Sequence, residues 1–225
     1  MKASETRTWE IERRTREMKR IYLLESTDPS YEATTDFIQA EPHNVSDGPN
    51  CPACGGPTGA FRWAPPLRAE LETWGNRYGD MAFGPSESML LSERFKELWL
   101  KSGLMGLEGF EPVEIVKVVR RDKRFKDPPP AYFRVVPQRS QAAFDSVASG
   151  EQWEEPPSPR CEVCREGGNS KGWERIVLEE EPRENICRVR GFGGVLVDEH
   201  FKRFVEENGL LNCPLVPAEE AAHWF

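Results

Sequence analysis

The sequence predicts an α+β fold, made of short antiparallel strands and a few helices and tied together by two cysteine turns. Three observations predict it. Two C-x2-C turns stand far apart, Cys51-Pro52-Ala53-Cys54 and Cys161-Glu162-Val163-Cys164. Between and after them, short apolar or alternating runs are bounded by Pro, Gly, Asn and Asp, which is how strands are punctuated. Two segments carry the cap, periodicity and stop of a short helix.

Taken in order, residues 8–20 are charged and weakly periodic and fit either a helix or an extended arm. Ile21 to Leu24 reads as a strand, closed by the turn-forming run Ser26 to Ser30. Residues 40–51 have loop chemistry and lead into the first cysteine turn. Phe61 to Leu67 returns from that turn as a strand that Pro65 and Pro66 end quickly, and residues 75–88 read as a connecting loop. Met89 to Leu91 is a short apolar run. Ser92 is a good N-cap, Phe95, Leu98 and Trp99 follow at helical spacing, and Gly103 is the stop. Glu111 to Val119 alternates as a strand does, and Ala131 to Val136 reads as its partner. Between them lie the basic segment Arg120 to Lys126 and Pro128 to Pro130. Residues 145–160 form a polar loop that delivers the chain to Cys161. Trp173 to Leu178 and Ile186 to Val189 read as strands, Gly191 to Gly194 as a bend, and Val195 to Val197 as another short apolar run.

An internal echo follows. Leu90-Leu91-Ser92-Glu93-Arg94-Phe95-Lys96 matches Leu196-Val197-Asp198-Glu199-His200-Phe201-Lys202 at a constant offset of 106, and Gly103-Leu104 matches Gly209-Leu210. The spacing predicts one strand-helix-strand unit used twice. Residues 1–40 form an N-terminal arm or strand region, and residues 41–225 form one compact domain with two related halves.

The cysteines carry the chemistry. Four thiolates are the ligand set of a closed tetrahedral zinc site, so Cys51, Cys54, Cys161 and Cys164 are predicted to hold one structural Zn2+. Two other readings compete: independent reduced turns, and a redox C-x2-C. The redox reading calls for a helix N-terminus at the cysteine, whereas Cys51 sits in a Gly/Pro-rich loop. Cys187 and Cys213, flanked by apolar residues, read as buried small side chains. His43 and Cys187 are the candidates to substitute for a ligand. His200 and His223 have no nucleophile signature beside them, and no Walker loop, GxGxxG, H-E-x-x-H or G-x-S-x-G is present. No catalytic residue is predicted.

With both cysteine pairs and both capped segments in view, the chain resembles the double-CXXCG motif paralogues of myxobacteria. The resemblance rests on Pro49 to Gly55, Phe83-Gly84-Pro85, Leu90 to Leu104, Cys161 to Cys164, and Cys187-Arg188-Val189-Arg190-Gly191-Phe192 running into Val197 to Phe201. The pattern's second glycine is replaced by Arg165, with Gly167 and Gly168 close by. The resemblance implies an immunity protein against Sit-type lipoprotein toxins, that is, an antitoxin that binds one cognate toxin domain and is no enzyme.

Charge bears on the partner. With 30 basic and 38 acidic residues the formal net charge is −8. That disfavours general nucleic-acid binding and suits a basic partner, such as a nuclease toxin. Glu179 to Glu181 and Glu151 to Glu155 are candidate acidic contacts. The alternative is a zinc-ribbon nucleic-acid binder using Arg120 to Lys126, with Phe125 stacking. No apolar run reaches the ~20 residues of a membrane span, and Met1 to Arg7 has no apolar signal core, so a cytoplasmic protein without membrane partners is expected. Trp63, Trp74, Trp99, Trp153, Trp173 and Trp224 read as core or edge residues, an exposed one being a candidate interface anchor.

Overall fold

The computed structural model describes residues 20–25, 33–59, 62–85, 88–154 and 159–224. The expected arm over residues 8–19 and the turn over Ser26 to Ser30 lie outside these residues.

Strand dominates. Fifteen strands and two helices occur among the described residues. The expectation of a balanced α+β fold of short antiparallel strands is corrected on two points. The two longest strands, β8 (Leu107–Arg120) and β9 (Tyr132–Ala143), have 14 and 12 residues. Three of the pairings are parallel, β2 (Thr35–Gln39) with β6 (Met81–Phe83), β5 (Arg68–Thr73) with β8, and β12 (Ile186–Arg190) with β9.

The main sheet has ten strands in the order β14-β1-β13-β12-β9-β7-β6-β2-β5-β8. Strand β8 also pairs with β9, so β9, β7 (Met89–Ser92), β6, β2, β5 and β8 close into a ring. The other arm holds β1 (Ile21–Leu24), β13 (Val195–Asp198) and β14 (Leu215–Pro217). Strand β9 belongs to both parts, pairing with β7 and β8 on one stretch and with β12 on another. Strands β1 and β2, within the region set apart as an arm, are each paired on both edges.

Successive strand residues face opposite sides, and the cores divide accordingly. Along β7, Leu90 joins a cluster with Phe37, Trp63, Leu71 and Tyr132, while Met89 and Leu91 join a second cluster beneath the helices. A third cluster around Phe144, Leu178, Val189 and Leu196 fills the other arm.

Helix α1 (Glu93–Ser102) starts where the Phe95 N–H donates to the Ser92 hydroxyl at 3.1 Å, and it ends at Gly103 with φ +75°. Helix α2 (Glu199–Glu207) starts where Asp198 accepts from the N–H groups of His200 and Phe201, both at 3.0 Å. Each follows directly on a buried strand. They meet through Phe95 and Trp99 against Phe201 and Phe204, with ring centroids 5.5–6.4 Å apart. The strands that follow differ: β8 is long and interior, whereas β14 has three residues at the sheet edge. No described helix is long and apolar enough to cross a membrane.

Asp80 ties the helix starts and exits together. Its carboxylate accepts from Ser92 Oγ at 2.7 Å, Arg94 Nη1 at 2.8 Å and Leu211 N at 3.0 Å, and its side chain is 8% exposed. Arg94 also donates to the carbonyls of Asn208 and Gly209, at the exit of α2. Replacing Asp80 with Ala leaves one buried donor, Ser92 Oγ, and two partly buried ones without this acceptor. We expect a loss of about 3 kcal/mol in stability, read as a lower urea midpoint with an unchanged m-value.

Candidate metal centre

Each cysteine turn is fixed by its own backbone. In the first, Cys51 N donates to Gly56 O and Gly55 N donates to Cys51 O, both at 2.8 Å. In the second, Cys161 N donates to Glu166 O at 3.0 Å and Arg165 N donates to Cys161 O at 2.8 Å. An isolated bridge closes each turn, Asn50 with Pro57 and Arg160 with Gly167. A small hairpin carries the first turn, β3 (Asn44–Ser46) with β4 (Arg62–Ala64). The second is carried by β10 (Gln152–Trp153) with β11 (Ser170–Trp173), which also pairs with β15 (His223–Trp224).

The turn needs a left-handed residue just after its second cysteine. Gly55 has φ +72° there, and Arg165 has φ +63°. Arg165 therefore adopts the backbone that the glycine pattern calls for. The cost of a side chain in that region is about 1 kcal/mol.

The two turns meet. Cys51 Sγ lies 3.9 Å from Cys161 Sγ, and Cys54 Sγ lies 3.8 Å from Cys164 Sγ. All four sulfurs lie within 4.8 Å of one another. Four sulfurs held tetrahedrally at ~2.3 Å from one ion are ~3.8 Å apart, so the spacing fits a shared metal. None of the four is in a disulfide. The cluster joins residues 110 positions apart. Cys51 and Cys164 are buried, Cys161 is half-buried and Cys54 is exposed.

Backbone N–H groups favour the thiolate form at the first cysteine of each turn. Backbone N–H groups of Cys54 and Ala53 hold Cys51 below the usual thiol range, and those of Cys164 and Val163 bring Cys161 down to about 6. The second cysteines move the other way. Burial pushes Cys164 up to about 12. At Cys54 the Gly56 N–H pulls downward, but the Cys161 sulfur and burial outweigh it. Four sulfurs this close repel as thiolates, and a bound cation is what relieves that repulsion.

Arginines brace the second turn, and sequence reasoning did not single them out. Three consecutive carbonyls each accept from one. Val163 O takes Arg190 Nη1 at 3.1 Å, Cys164 O takes Arg139 Nη2 at 3.3 Å, and Arg165 O takes Arg160 Nε. Arg160 also donates to Gly191 O at 2.8 Å and pairs with Glu151 at 3.1 Å. Each guanidinium group is also paired with a carboxylate, Arg139 with Glu166 at 2.9 Å and Arg190 with Glu180 at 3.7 Å besides Arg160 with Glu151, so what the three supply to the turn is hydrogen bonds to its carbonyls. The available signal was Arg160 immediately before Cys161, and Arg190 close to the motif cysteine Cys187.

The other candidates fall elsewhere. His43 Nδ1 lies 3.1 Å from Glu41 Oε1 and is no member of the sulfur cluster. Cys187 is buried in the third core cluster, where burial pushes its thiol up to about 12. Cys213 packs against the core beneath the helices. His200 is exposed with Arg203 Nη2 at 2.8 Å. The basic segment is engaged only in part, with Arg121, Lys123, Arg124 and Lys126 exposed. Arg120 donates to Tyr78 and to Asp127 O, Arg121 pairs with Glu72, Arg124 pairs with Asp122, and Phe125 is buried against Tyr78. Of the acidic stretches, Glu151 is buried on Arg160, and Glu179 and Glu180 pair with Arg165 and Arg190.

No protein-family model matches the chain, and no curated protein is significantly similar to it.

Two substitutions separate local strain from bracing. Gly55→Ala meets nothing within 4 Å, so its cost is backbone strain alone, about 1 kcal/mol. Arg160→Ala strands the buried Glu151 carboxylate and one turn carbonyl. It is expected to cost about 3 kcal/mol in denaturant unfolding and to weaken metal binding roughly 10-fold or more in competition with a chelator.

Proposed function

We propose that the protein is a cytosolic immunity protein, which binds and neutralises one cognate toxin domain and uses a single zinc ion as structural staple. The observation that carries this reading is the four-sulfur cluster across the two turns. Four thiolates fill a tetrahedral ion, so no position is left for water or substrate, and such a metal shapes a surface rather than a reaction. The two turns are also the motif on which the resemblance to the double-CXXCG paralogues rests, and Arg165 supplies the left-handed backbone of the missing glycine. Net charge −8 favours a basic toxin domain and fast encounter with it. Phe125 is buried and offers no ring for a base to stack on, which counts against a nucleic-acid surface on that segment.

The same reading takes the chain as two related units. In its support, both turns share one hydrogen-bond pattern, each sits on a small hairpin, and each half ends in a strand, a side-chain cap and a helix. The zinc then lies where the units meet.

The experiment is a protection assay. Cells expressing the toxin encoded beside this gene should survive when this protein is co-expressed, and the two purified proteins should elute as one complex. Cys54→Ser together with Cys164→Ser should abolish protection, and chelation should lower the melting temperature of the wild type by 10 °C or so. Survival without the protein's zinc, or lack of protection against the neighbouring toxin, contradicts the reading.

A further inference from the structure

The sulfur pairs that approach across the two turns form an oxidisable site. We propose that peroxide converts the cluster into two disulfides, Cys51–Cys161 and Cys54–Cys164, which expel the metal yet keep the turns joined. The inference rests on the four-thiolate reading of the site and is independent of the toxin.

The geometry is close to what the bonds require. The paired sulfurs are 3.9 and 3.8 Å apart, and a disulfide brings them to roughly 2.05 Å. Each sulfur has to move about 1 Å. Neither turn has to give up its own backbone bonds for this. The first turn is pinned by Cys51 N to Gly56 O and Gly55 N to Cys51 O, and the second by the equivalent bonds of Cys161. Cross-bridging draws two intact turns together.

Accessibility divides the roles. Each cross pair joins a reachable sulfur to a buried one, exposed Cys54 to buried Cys164, and half-buried Cys161 to buried Cys51. The reachable thiolate attacks hydrogen peroxide, takes one oxygen as sulfenic acid and releases water after protonation. The buried thiolate then attacks that sulfur, the S–S bond forms, and hydroxide leaves as water. Each peroxide accepts two electrons from one pair. Two peroxides and four protons therefore convert the tetrathiolate zinc into two disulfides, free Zn2+ and four waters.

The consequence is a staple that survives loss of its metal. A bridge across 110 positions restrains the unfolded chain far more than one within a four-residue turn does. The test uses the full chain, reduced and zinc-loaded, titrated with hydrogen peroxide. Free thiols are then alkylated, and non-reducing digests are mapped by mass spectrometry. Expected are cross-linked peptides joining Cys51 to Cys161 and Cys54 to Cys164, two peroxides consumed per zinc released, and a melting temperature about 10 °C above that of the reduced metal-free protein. The double variant Cys54→Ser, Cys164→Ser should still yield the Cys51–Cys161 bridge. Bridges within either turn, or sulfinic and sulfonic acids without bridges, overturn the proposal. Reduced protein that holds no zinc counts against the metal reading alone, since the cross-links are read independently of it.

Discussion

Four sulfur atoms from two turns 110 positions apart must come within 4.8 Å of one another, and much of the structure serves that requirement. Closing so long a loop costs entropy, and four adjacent thiols gain nothing from each other in the absence of a cation. A metal ion held there would supply the missing attraction, and its binding energy would then be folding energy. Each turn is preset by its own backbone hydrogen bonds, so the ion meets two finished halves of a site. The arginines on three successive carbonyls of the second turn brace it, each held in turn by a glutamate.

The sulfur cluster is one of several ties between the halves. Phe95 and Trp99 of α1 pack on Phe201 and Phe204 of α2, and Asp80 with Arg94 joins the start of α1 to the exit of α2. Strand β1, from the region before residue 41, pairs with β13 and β14 near the end of the chain, while β9 is shared between the ring and the other arm. The halves are interleaved through the sheet and clamped from outside it. In such an arrangement a metal at the four sulfurs would fix how the turns sit relative to one another, while the three buried clusters form the core.

What sequence could reveal follows from how local each feature is. The cysteine turns and both helix caps depend on residues five positions apart or fewer, and Ser92, Asp198, Gly103 and the C-x2-C spacing announced them. Strand pairing depends on distant partners. The pairing of β8 with β9 was legible from the alternation of Glu111 to Val119 and the run Ala131 to Val136, but the ring that it closes was not, and neither were the three parallel pairings. Strand β5 does alternate, with Ala69, Leu71 and Thr73 buried, but its inward side chains are too few and small to stand out from the charged ones. Strand β6, three residues inside an apparent loop, is held by neighbours on both sides rather than by its own composition. The bracing arginines were hidden because a guanidinium that reaches a turn carbonyl looks, in sequence, like any surface charge.

The central claim is that one ion gathers all four sulfurs. X-ray absorption at the zinc edge, on protein purified without added metal, tests it most directly. The account predicts stoichiometric zinc with four sulfur neighbours at about 2.3 Å and no lighter atom in contact with the ion. Zinc bound by nitrogen or oxygen, or protein that folds with no metal at all, would contradict it.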